Sequence, residues 1–82
     1  MKYIAYSLRD KVSGEFRDLT LNVSDDVAKR DLSYVVNNDT RFQFMSKDFE
    51  LYKLGIFDTK TGVFEQFNPI EMVVQADQLL GG

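Results

Sequence analysis

Cysteine and histidine are both missing from this 82-residue chain. Their absence excludes disulfide staples, zinc sites built from the usual Cys and His ligands, thiol nucleophiles, and an imidazole acting as acid, base or pH switch. Glycine stands singly at 14, 55 and 62, so neither a phosphate-cradling loop nor a dinucleotide fingerprint can be written on the sequence. No apolar run approaches the ~20 residues of a membrane helix, and no secretory leader is recognisable. The expected location is therefore the cytoplasm, away from membrane. Asp25 and Asp26 lack the regular series of oxygen ligands that a calcium loop needs and read as helix-capping acids. No cofactor and no metal is expected.

The chain does have apolar surface, at 44% of residues, including seven Phe and four Tyr. That is too much for a disordered segment of modest net charge, and the length suits one domain, residues 1–82. A core of this size contributes only about 3–5 kcal/mol of net stability, which makes self-association, as a dimer or larger, an expectation. The net charge of −3 argues against a strong non-specific polyanion binder. Charge is uneven, however. Residues 1–47 hold eight basic and seven acidic side chains, whereas residues 48–82 hold two and six.

Tyr3 to Leu8 alternates as a strand, with Ile4, Tyr6 and Leu8 on one side and Tyr3, Ala5 and Ser7 on the other. Asp10 to Phe16 reads as a hairpin turn closed by Gly14, and Leu19, Leu21 and Val23 alternate in a short extended stretch. Ser24 is an N-cap, followed by two acids that suit the positive end of a helix running to about Val36. Its apolar face is Val27, Ala28, Leu32, Val35 and Val36, and Asn37-Asn38-Asp39 ends it. Residues 40–47 place Phe42 and Phe44 between polar neighbours, as an edge strand or an irregular loop. Glu50 to Phe57 is the strongest strand signal, turning through Asp58 to Gly62 into Val63–Phe67. Pro69 breaks that run before a last strand over Ile70–Ala76. Asp77 to Leu80 reads as a turn, with Gly81 and Gly82 frayed. The expected fold is α+β, a small antiparallel sheet of four to five strands with one amphipathic helix on one face.

Two segments echo each other. Asp10-x-x-Ser13-Gly14-x-Phe16 and Asp58-x-x-Thr61-Gly62-x-Phe64 share one pattern, which a common hairpin turn explains more simply than paired ligand loops.

With the helix on the face of Ile4, Tyr6, Leu8, Tyr52, Leu54 and Ile56, the other face presents Tyr3, Ala5, Ser7, Leu51, Lys53 and Phe57. That face is too aromatic for a solvated surface. It suits either a dimer interface or packing by Phe42, Phe44 and Phe67. The sharper reading is base stacking by Tyr3 and Phe57, with Phe42 or Phe44, beside phosphate contacts from Arg9, Lys11, Arg17, Lys53 and Arg41. Lys29 and Arg30 form a weaker patch, blunted by Asp25, Asp26 and Asp31.

The run Asp48-Phe49-Glu50-Leu51-Tyr52-Lys53-Leu54-Gly55-Ile56-Phe57-Asp58 with Thr61-Gly62 resembles the small nonstructural protein of gokushoviruses, single-stranded DNA phages of the Microviridae. The likeness extends to the first hairpin, to Ser24-Asp25-Asp26-Val27-Ala28, and to Val35-Val36-Asn37-Asn38. Arg17-Asp18-Leu19-Thr20 stands where that family leads one to expect a Pro-rich link, and Lys47 where it leads one to expect Pro. The resemblance implies a non-capsid protein of phage genome replication, or of the switch to single-stranded DNA synthesis and packaging, in the bacterial host cytoplasm. It carries no established functional residue onto this chain.

The reading is a non-enzymatic protein that binds single-stranded DNA as an oligomer. Its rival is an interaction module for a phage or host replication or assembly partner, with Asp48, Glu50, Asp58, Glu65 and Glu71 suiting a basic surface. A carboxylate-based hydrolase is remote, because a chain this short hardly walls off a cleft.

Overall fold

The computed structural model describes residues 1–81; the frayed end expected at Gly82 lies outside the described residues. The elements are β1 (Lys2–Asp10), β2 (Glu15–Phe16), β3 (Thr20–Asn22), α1 (Asp25–Asn38), α2 (Thr40–Met45), a 3₁₀ turn (Ser46–Asp48), β4 (Phe49–Asp58), β5 (Phe64–Gln75) and a second 3₁₀ turn (Ala76–Leu79). All strand pairs are antiparallel, and β1 and β4 form the centre. β5 flanks β4, while β2 and β3 share the far edge of β1. The fold is α+β, as the patterning predicts.

The echoed segments build the same turn. Gly14 and Gly62 adopt φ of 77° and 75°, a left-handed conformation open to glycine at little cost. Each N–H donates back to the carbonyl of Asp10 or Asp58 at 2.8 Å. The Asp10 carboxylate accepts from Val12 N–H, that of Asp58 from Lys60 N–H, both at 2.9 Å. Ser13 and Thr61 hydroxyls accept from Glu15 and Val63 N–H, both at 3.2 Å.

Ser24 caps α1 by accepting from Val27 N–H at 3.3 Å. Ala28, Leu32 and Val36 are the buried stripe, packed with Tyr6, Phe49, Leu51 and Ala76. Val35, expected on that stripe, is 39% exposed. Residues 40–47 are neither strand nor loop. Asp39 ends α1 with its N–H on Val35 and begins α2 by accepting from Arg41 and Phe42 N–H at 3.0 and 3.1 Å. One residue thus ends one helix and starts the next.

Pro69 does not end a strand as expected. β5 continues through it from Phe64 to Gln75, with the Asn68–Pro69 peptide cis, and the register against β4 shifts between Lys53/Glu71 and Gly55/Gln66. Gly81 is not frayed, since its N–H donates to Asn37 Oδ1 at 2.7 Å. Asn37 also donates to the Leu79 carbonyl at 2.9 Å, tying the C-terminal turn to α1.

Candidate functional site

The face of the sheet away from the helices depends on a β-bulge. Along β1 and β4, Ala5 pairs with Gly55 but Tyr6 pairs with Lys53, so Leu54 is an extra residue in β4. An inserted residue reverses which face each later side chain occupies. Leu51 and Lys53 therefore lie on the helix face beside Leu8 and Tyr6, and Tyr52 lies on the open face beside Ser7. This corrects the strict alternation expected for residues 50–57. Tyr3, Ala5, Ser7 and Phe57 are on the open face as the pattern predicts.

Two groups of rings populate that face. At one end Tyr3 pairs with Phe57 and Phe57 with Phe64, placing three aromatic residues side by side on three adjacent strands. Phe64 is 44% exposed, and its ring is drawn in over Gly55. A Cβ built there would lie 2.8 Å from Phe64 Cζ, 2.9 Å from Gln66 Cα, and against the Glu65 carbonyl. Toward the other end Tyr52 pairs with Met72 and meets Phe16 edge-to-face, with centroids 5.6 Å apart at 80°. On β3, Leu21 pairs with Ala5 and faces the same way, 44% exposed. The strand charges here are Arg9 and Glu50, cross-strand partners 4.0 Å apart. Lys2 and Lys60 flank the aromatic row in sequence, and Asp58 lies between them in the structure, paired with Lys2 across the strands and in the same turn as Lys60. The Lys60 backbone N–H holds the Asp58 carboxyl below the usual carboxylate range.

The predicted site residues fall into separate groups. Tyr3 and Phe57 come together, with Arg9 on their face and Lys11 exposed in the adjacent turn. Lys53 does not join them. On the helix face it bridges Asp25 at 3.0 Å and Glu71 at 3.4 Å, and the Asp25 contact raises its pKa. Arg17 also lies elsewhere, with its guanidinium 5.7 Å from the Phe49 ring centroid. Phe42 stacks on that same core residue, centroids 5.0 Å apart at 18°. Arg41 and Phe44 are exposed on α2, in the helix layer. The sequence reading missed Phe64, Tyr52 and Phe16 as open-face rings. Phe16 and Phe64 carried a signal, because both close the repeated turn motif.

Beneath the sheet, Tyr6 is fully buried and donates to Asp25 Oδ1 at 2.6 Å. That bond holds the Asp25 carboxyl below its ordinary pKa, with Lys53 adding to the effect. Among the described residues no three acidic side chains gather as a metal site, and no helix is long and apolar enough to cross a membrane. What the arrangement offers chemically is a platform of flat rings with few charges.

The fold and this platform define a two-layer α+β domain with one sheet face uncovered by helices. The chain belongs to the phage ORF5 protein family, whose model matches residues 3–79. No curated protein and no solved structure matches it.

Proposed function

We propose that this phage protein is non-enzymatic and binds single-stranded DNA, as an oligomer, on the open sheet face. The observation that carries the reading is the row Tyr3, Phe57 and Phe64 across three adjacent strands. Exposed rings on a sheet stack on unpaired bases, each worth about 1–3 kcal/mol, and a duplex hides the same bases. Arg9 on β1, and Lys11 and Lys60 in the turns at the two ends, are the cations at the strand and turn positions of this face, since Lys2 alternates to the helix side with Ile4 and Ile56. Phosphate contacts are thus few, and affinity rests more on stacking than on charge. The gokushovirus likeness supports a role in genome replication or packaging, in the host cytoplasm.

The scarcity of cations favours a second reading, in which the same face docks a phage or host replication or assembly protein. Fluorescence anisotropy of a labelled single-stranded oligonucleotide, at low and near-physiological salt and beside its duplex, separates the two. Saturable binding that prefers the single strand and weakens only gently with salt supports the DNA reading. No binding at low salt by folded protein overturns it in favour of protein docking.

A further inference from the structure

On the helix side, away from the open sheet face, a cleft of about 290 Å³ opens between α1 and the segment leading into β3. Leu8, Leu32 and Leu51 line it, together with Val35, left 39% exposed on an otherwise buried helix stripe. An apolar cavity of about 150 Å³ is room enough for a benzene ring. Asp18 and Asp31, both exposed, also line the cleft, and Arg17 reaches it from the side of Phe49.

Phe44 is 82% exposed, the most exposed large hydrophobic side chain among the described residues. Phe42, two positions earlier on α2, is turned in against Phe49, so Phe44 points away from its own core, and it does not line the cleft of its own molecule. Arg41 and Lys47 lie one turn before and one turn after it, both exposed. A phenyl ring bracketed by two cations therefore faces outward, and the same molecule carries an apolar cleft bordered by two carboxylates.

We infer that Phe44 of one copy seats in the α1–β3 cleft of a second copy, with Arg41 and Lys47 against Asp18 and Asp31. The contact joins two different surfaces. It closes at two chains where a two-fold axis lets the copies exchange rings, and otherwise adds copies head to tail. It rests on the self-association part of the function proposed above, and not on DNA, because neither surface lies on the open sheet face.

Sedimentation velocity without DNA tests it. The expected wild-type mass exceeds the 9.5 kDa of one chain. Phe44→Ala and Val35→Glu should each weaken association at least about thirtyfold, as loss of an interface anchor does. Both sites are exposed, and unchanged circular dichroism would confirm the fold. Arg41→Glu and Asp31→Lys should each weaken association, and an equimolar mixture of the two should recover part of it. A monomeric wild type at low salt, or an assembly untouched by Phe44→Ala, overturns the contact. DNA titrations of the same variants report separately on the open face.

Discussion

The Tyr6 hydroxyl and the Asp25 carboxylate, 2.6 Å apart, join the middle strand of the sheet to the first turn of α1. Lys53 takes the other carboxylate oxygen at 3.0 Å, so one acid holds two strands and a helix together. Tyr6→Phe removes a bond to a charged acceptor without opening a cavity. It should cost about 1.5–3 kcal/mol in urea unfolding. Asp25→Ala should cost at least as much, because it leaves the buried hydroxyl unpaired.

The same trio sets the pH limits of stability. The Asp25 carboxyl titrates below its ordinary value in the fold, held there first by Tyr6 and then by Lys53. Its contribution is therefore complete above an unfolded pKa of about 3.9 and lost as pH falls through the lower folded value. Burial first, and the hydrogen bond to Asp25 second, push the Tyr6 hydroxyl upward, and the Lys53 ammonium is raised by its bond to Asp25. Those contributions hold below about pH 10 and fade as pH rises through the folded values. Unfolding free energies measured across pH should show both limbs, and Tyr6→Phe should flatten both.

Gly55→Ala should destabilise the sheet by about 1–3 kcal/mol, as overpacking does. The added Cβ meets backbone at Glu65 and Gln66 as well as the Phe64 ring. A lower urea midpoint with a shifted Phe64 spin system is the expected result.

Asp39→Ala strips the cap from α2, which has two N–H donors on that carboxylate. The loss should be about 1 kcal/mol, with amide exchange accelerating over residues 40–45 before the rest of the chain responds.

On the DNA reading, Phe64→Ala should weaken single-strand binding by about 1–3 kcal/mol, one stacked base. Lys53→Ala should lower stability and leave that affinity within about twofold, because its ammonium is held between carboxylates on the opposite face. Anisotropy and urea titrations on both variants make the comparison, and a large affinity loss from Lys53→Ala would place the DNA on the helix side.

Much of this architecture could be read from local chemistry. Ser24 with its two acids marked α1, and the repeated Asp to Gly motif marked both hairpins, because capping and left-handed turns are decided within a few residues. α2 escaped for a complementary reason. Phe42 and Phe44 alternate like a strand, yet Phe42 alone turns to the core while Asp39, read as a terminator, organises the next helix. The bulge at Leu54 was equally hidden. It arises from the pairing of β4 with β1, a long-range relation, and it moved Lys53 from the supposed DNA face to a carboxylate pair while bringing Tyr52 to the open side. Tyr3 and Phe57 kept their place because the bulge lies between them and the altered part of β4.

The central position of β1 and β4 also orders events in time. β1 leaves the ribosome well before its main partner, which runs from Phe49 to Asp58, so Lys2 waits for Asp58 and Asp10 for Phe49. The β4–β5 hairpin closes over a short turn, whereas the central pair must close a long loop before it gains a contact. Until then β1 can pair along one edge alone, with β2 and β3, and the other edge of Tyr3-Ile4-Ala5-Tyr6 is the stretch most open to chaperones and to mispairing with a neighbouring chain.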